Sequence, residues 1–95
     1  MQNYDNFGVP MWAYAAASFS AAYHEALSRG ENGTEAGILA AADEWLKIGA
    51  VKHGDEKTAC ILAGNAMLAI RDKKADQDEN GLLDIGKAAY KKAIQ

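Results

Sequence analysis

Cysteine and proline are almost absent from this chain, and each absence excludes a class of protein. The one cysteine, Cys60, cannot form an intrachain disulfide, so the chain is not a small scaffold held by bridges, and a reducing, cytoplasmic location is expected. The one proline is Pro10, and alanine supplies much of the 49% of residues that are hydrophobic. Because alanine favours helices and proline interrupts them, the composition predicts an all-α fold.

An early positive charge and long apolar runs are also missing. No Lys or Arg precedes Arg29, whereas secretory signal peptides begin with a positively charged segment. The apolar stretch over residues 11–27 is interrupted by Ser18, His24 and Glu25, which makes it a poor membrane span. We therefore expect no targeting segment, no transmembrane segment and no membrane partner.

Start and stop signals divide the chain into four helices behind an N-terminal segment, residues 1–9. Pro10 suits the first turn of a helix, Gly30 the left-handed residue after a helix end, and Asn32 an N-cap. Gly49 is taken as the end of the second helix and Asp55 as the cap of the third. The sequence thus predicts a compact single-domain bundle of four helices, at roughly residues 10–29, 34–48, 55–74 and 82–94.

The spacing of apolar residues predicts which side of each helix faces the core. On the second helix, Asp43, Glu44 and Lys47 are expected to face away from it. The third helix has only Asn65 as a strong hydrogen-bonding side chain over residues 59–70, and we expect its neighbours to enclose it. The residues expected to be substantially buried are Trp12, Phe19, Tyr23, Trp45, Leu62, Met67, Ile70 and Ile85.

Oxygen-bearing side chains are concentrated in one acidic stretch before the fourth helix. Asp76, Asp78 and Asn80 alternate with other residues, a glycine follows, and Asp84 comes four positions after Asn80. This pattern resembles the calcium-binding loop of EF-hand proteins, and the resemblance implies that these four residues would be metal ligands. The twelfth position, normally a glutamate that supplies two oxygens, is Lys87. The sequence therefore predicts weak calcium binding or none, and the acids can instead cap the fourth helix.

Zinc-binding and catalytic residue types also occur. His24, Glu25, His53 and Cys60 could in principle form a zinc site or a thiolate nucleophile, which would make the chain a small enzyme or zinc protein. Their spacing matches no metal motif, so we expect His24 on a polar helix face, His53 in a link and Cys60 as a small core residue. We expect no enzyme activity and no cofactor.

Basic residues at positions 71, 73, 74, 91 and 92 could form a patch for nucleic acid. Acids are interspersed among them, the net charge is −3 and the isoelectric point is about 5.2. A solvated, charge-balanced face is the simpler interpretation, so nucleic acid is not an expected partner.

The first and third helices carry more apolar surface than four short helices should need. Met11 and Tyr14 are large residues near the start of the first helix, and Ser18 is small enough to allow close helix approach. We expect these three residues to bind a partner. The predicted function is a non-enzymatic interaction module of the adaptor, immunity or mobile-element inhibitor type, which docks a helical surface onto a larger protein or onto itself, by default as a homodimer.

Overall fold

The computed structural model describes residues 10–70 and 79–94, and these residues form four helices and no strand. The helices are α1 (Met11–Ser28), α2 (Gly33–Val51), α3 (Gly54–Ile70) and α4 (Glu79–Ile94). The predicted all-α class and the predicted bundle of four helices are confirmed. None of the described helices is both long enough and apolar enough to cross a membrane.

The turn between α1 and α2 forms as its residue types predict. Gly30 has a φ of 73°, a conformation that glycine adopts without steric cost. The backbone N–H of residue 31 then donates to the carbonyl oxygen of Ala26 at 2.8 Å, which closes a Schellman motif at the end of α1. Asn32 caps α2, because its side-chain oxygen accepts a hydrogen bond from the backbone N–H of Glu35 at 3.1 Å.

The turn between α2 and α3 is shorter than predicted. Gly49 does not end α2, which continues to Val51, so only Lys52 and His53 link the two helices. Gly49 is held in the helix by packing, since a Cβ built there would lie 3.3 Å from the Cβ of Cys60 in α3. The predicted cap residue Asp55 lies inside the first turn of α3, where an acid favours the positive end of the helix dipole.

The central helix is α2, and the prediction that α3 is enclosed by its neighbours is wrong. α2 buries nine of its residues, more than α1 or α3. The backbone of α3 lies beside α2 and α4, and α1 reaches α3 through the Met11 side chain. Leu62, expected to be buried, has 47% of its surface exposed. Because α3 is apolar on most sides, the spacing of its apolar residues does not reveal which side faces solvent.

Most of the other predicted core residues do face the interior. Phe19, Trp45 and Met67 are almost fully buried. The other four, Trp12, Tyr23, Ile70 and Ile85, are partly buried and pack against this core.

An aromatic group joins α4 to α1 and α2. The Tyr90 ring stacks on Trp45 with the ring centres 5.4 Å apart, and meets Trp12 edge-on at 6.2 Å. The ammonium groups of Lys87 and Lys91 lie 4.9 and 5.2 Å from the centre of the Trp12 ring. These cation–π contacts and ring contacts hold the first and last helices together.

Glycines in three helices allow the side chains of neighbouring helices to approach closely. A Cβ at Gly37 of α2 would lie 2.9 Å from three ring carbons of Phe19, and a Cβ at Gly86 of α4 would lie 2.7 Å from the indole nitrogen of Trp45. A Cβ at Gly64 of α3 would lie 3.0 Å from Leu46. The two largest buried side chains therefore lie directly against glycine backbone.

We predict that Gly37→Ala destabilises the fold. Alanine favours a helix over glycine by about 1 kcal/mol, but an overpacked core costs about 1–3 kcal/mol, and the Phe19 ring that the new methyl group would meet is buried. We expect a net loss of about 1–2 kcal/mol in the free energy of unfolding, measured by urea denaturation. The control is Ala50→Gly on the exposed side of α2, where alanine should be the more stable residue. An equal preference for alanine at both positions would contradict the close contact.

Candidate interaction surface

The three predicted partner-binding residues are not on an open surface. Met11 and Tyr14 are partly buried and pack against the core. The Met11 sulfur lies 3.8 Å from the sulfur of Cys60 in α3. Ser18 is also partly buried and faces α2. Partner binding through these residues stays a prediction, but each of them already has contacts within its own chain.

Ser18 is paired with a carboxylate of α2. Its hydroxyl donates to Oε1 of Glu44 at 3.1 Å, and Glu44 is only 6% exposed. The expectation that Glu44 faces away from the bundle is therefore wrong, although Asp43 and Lys47 are exposed and form an ion pair at 3.1 Å. A buried carboxylate needs a hydrogen-bond donor, and Ser18 supplies one from the facing helix.

We predict that Ser18→Ala destabilises the folded monomer. A hydrogen bond to a carboxylate contributes about 1.5–3 kcal/mol, and its loss leaves the buried Glu44 with one donor fewer. Urea denaturation of Ser18→Ala should show a loss in that range. Ser20→Ala is the matched control, because Ser20 is also partly buried on α1, and it should change stability little. If Ser18→Ala were as stable as the control, the Glu44 contact would not support the fold.

The proposed zinc and catalytic residues do not come together. His24 and Glu25 are exposed near the end of α1, and Glu25 is bound to Arg29 at 2.6 Å. His53 is exposed in the link that follows α2, and Cys60 is buried in α3. The length of α2, about 27 Å, separates the two pairs. Among the described residues no three His, Cys, Asp or Glu side chains lie close enough to hold a metal ion.

The acidic stretch that resembles an EF-hand loop is only partly described. Asp76 and Asp78 lie outside the described residues. Asn80 and Asp84 lie within α4, which begins at Glu79, so both are on helical backbone. Weak calcium binding or none therefore stays a prediction.

Cys60 is buried in α3, where it lies beside Gly49 of α2 and Met11 of α1. Burial, and to a smaller extent the negative charge of Glu56, raises the pKa of its thiol from 9.0 to about 11, while the positive charge of Lys52 lowers it by a smaller amount. Burial likewise raises the pKa of the Tyr90 hydroxyl. A thiol that stays protonated at neutral pH is a poor nucleophile, so this environment favours a structural role for Cys60.

We predict that stability falls in alkaline solution because of Cys60. Between about pH 9 and pH 11 the unfolded chain releases the thiol proton while the folded chain keeps it, so rising pH favours unfolding. The loss should be about 2–3 kcal/mol across this window. Urea denaturation at several pH values measures it, and Cys60→Ala should remove that share of the slope. A profile equally steep in Cys60→Ala would show that another group causes it.

Six large apolar side chains of the described residues are exposed, and two of them, Ile61 and Leu62, are adjacent on α3. The outer face of α3 consists of Thr58, Ile61, Leu62, Asn65 and Ala69, all of which are exposed. Ile61 is 37% exposed and Leu62 is 47% exposed. No residue from position 58 to position 70 carries a charge.

Other exposed apolar side chains stand beside charged residues. Leu39 on α2, for example, is 38% exposed and lies one helical turn from both Glu35 and Asp43, which are exposed. Isolated residues of this kind are normal on a protein surface, whereas several uncharged neighbours on one helix face form a patch. The outer face of α3 is therefore the candidate interaction surface.

A signal for this face is present in the sequence. Thr58 and Asn65 are the hydroxyl and amide side chains of the uncharged part of α3, and they are seven residues apart. Residues seven apart lie on the same side of a helix, so the two polar groups mark the side that faces solvent. Sequence reasoning noted Asn65 but did not use it in this way.

Comparison with known proteins identifies no relative of this chain. No protein-family model matches the chain, and neither a curated protein nor a solved structure matches it significantly.

Proposed function

We propose that this protein is a non-enzymatic interaction module that docks the outer face of α3 onto another protein chain. The observation that carries the proposal is the exposure of Ile61 and Leu62 on a helix face without charge. Water contact with such side chains is unfavourable, and covering the exposed half of Leu62 is worth part of the about 1.5–3 kcal/mol that burying a whole leucine contributes. A partner that covers the face removes this cost.

The bundle itself supports a docking role for this face. α3 is fixed from behind, because Ala59, Cys60, Ala63 and Met67 are fully buried against the rest of the bundle. The outer face is therefore carried on a helix whose other side is packed in the core. A rigid, preformed surface loses little conformational freedom when it binds, which favours association.

The non-enzymatic part of the proposal is supported by how the reactive side chains are placed. His24 lies at the opposite end of α2 from His53, and burial keeps the Cys60 thiol protonated at neutral pH. Nucleophilic catalysis by Cys60 would need a base within hydrogen-bond reach of its thiol. Within the described residues, the hydrogen-bond contact of this thiol is with the Met11 sulfur.

We predict that a photo-crosslinking amino acid at position 62 captures a protein, whereas the same amino acid at position 39 does not. Leu62 and Leu39 are both exposed leucines on helices, so the two variants differ mainly in the surface that carries the probe. The purified variants are illuminated alone and in an extract of the cells that produce the chain, and the adducts are identified by mass spectrometry. Equal capture at both positions, or no capture at position 62, would contradict the proposed function.

A further inference from the structure

We propose that the outer face of α3 pairs with the same face of a second copy of this chain, around a two-fold axis that passes by Asn65. The inference rests on the proposed function, because it names the occupant of the same surface. A two-fold interface places a patch against an identical patch, so the patch must be complementary to itself. The outer face of α3 meets this condition, since none of its five side chains carries a charge that would oppose its own copy.

Asn65 supplies the polar contact that fixes the position of the axis. The Thr58 hydroxyl is already paired within its own helix, where it donates to the carbonyl oxygen of Gly54 at 3.4 Å. The Asn65 amide is exposed and makes no hydrogen bond with the described part of the chain. An amide has both N–H donors and a carbonyl acceptor, so two identical amides can bond to each other in both directions. A single asparagine in an apolar helix seam sets the register of helix dimers in the same manner.

The spacing of the face suits helix-on-helix packing. From Thr58 to Ile61 is a step of three residues, and from Ile61 to Asn65 and from Asn65 to Ala69 are steps of four. Steps of three and four keep a stripe on one side of a helix, which is the pattern of a packed helix seam. Ala69 is small, so it lets the partner helix approach the backbone at that end of the face.

Charge at the start of α3 selects the antiparallel arrangement. Asp55 and Glu56 are exposed in the first turn of α3. In a parallel pair these acids would meet their own copies, and like charges at that distance oppose association. In an antiparallel pair centred on Asn65, the two acidic ends lie about 28 Å apart, well beyond the range of screened repulsion.

The size of the face indicates a weak dimer. The stretch from Thr58 to Ala69 is about 16 Å long, so one helix pair buries less area than the 1,200–2,000 Å² of a typical stable interface, by a rough geometric estimate. We therefore expect a dissociation constant on the order of 10–100 µM.

The first test is sedimentation equilibrium of the purified full chain over a range of concentrations up to about 500 µM. We expect the average mass to rise towards twice the 10.1 kDa of the monomer. Leu62→Lys should stay monomeric, because it places a charge in the centre of an apolar contact. Leu39→Lys makes the same substitution on α2, outside the proposed interface, and this variant should still dimerise. Lysine and leucine have similar helix propensities, and circular dichroism checks that both variants remain folded.

The second test uses opposite charges at the axis. Asn65→Asp and Asn65→Lys should each be monomeric when alone, because two like charges would meet across the axis. An equimolar mixture should associate again, at least tenfold more tightly than either variant alone, because aspartate then meets lysine. Complementation of this kind requires residue 65 to face its own copy, and a role in the folded monomer would not produce it.

Three results would overturn the inference. One is a wild-type chain that remains monomeric at about 500 µM, and another is a dimer that Leu62→Lys leaves intact. The third is a mixture of the two Asn65 variants that stays monomeric while the wild type dimerises. The cross-linking experiment distinguishes a failure of the proposed dimer from a failure of the proposed function. Capture of a different protein at position 62 leaves the proposed function in place, whereas no capture at all removes both.

Discussion

Close contact between large side chains of α1 and α2 and glycine backbone on the neighbouring helices is the constraint on which the rest of this structure depends. Phe19 lies against Gly37, and Trp45 lies against Gly86, with no space for even one further methyl group at either glycine. These contacts allow a chain of 95 residues to bury two large aromatic side chains almost completely. Since a small domain has little stability to lose, contacts of this size determine which helices can be neighbours.

The same constraint explains why α3 has an exposed apolar face. Gly64 of α3 lies against Leu46 of α2, and Met67 of α3 lies against Gly86 of α4. α2 and α4 therefore cover the same half of α3. No described helix remains to cover the other half. Leu62 is exposed for this geometric reason, not because its own side chain is suited to water. An uncharged face left open by the packing of the core is the structural basis of the proposed docking function.

Local signals predicted the helices well, and contacts between helices limited what the sequence could reveal. Gly30 and Asn32 act within a few residues of their own positions, so their roles as turn and cap residues could be recognised. Gly49 has the same residue type as Gly30 but lies inside a helix, because it meets Cys60 eleven positions later. The sequence pattern predicts Glu44 as a surface acid, whereas it is buried and accepts a hydrogen bond from Ser18 of the facing helix. The sequence predicts surplus apolar area on the first and third helices and assigns partner binding to Met11, Tyr14 and Ser18 of the first. Locating the outer face of α3 required knowing which half of that helix is covered.

Alanine-rich helices also need contacts that fix their register, because small uniform side chains let one helix slide along another. Ser18 and Glu44 counter this between α1 and α2, since their hydrogen bond forms in only one register and any shift leaves a buried carboxylate without that donor. The outer face of α3 carries no charge, and Asn65 is its one amide. If a second copy covers that face as proposed, the amide pair limits sliding outside the bundle as the Ser18 contact does inside it. Replacing Asn65 by leucine would then strengthen association while allowing more than one register, which distinguishes a residue that specifies an interface from one that only adds to its affinity.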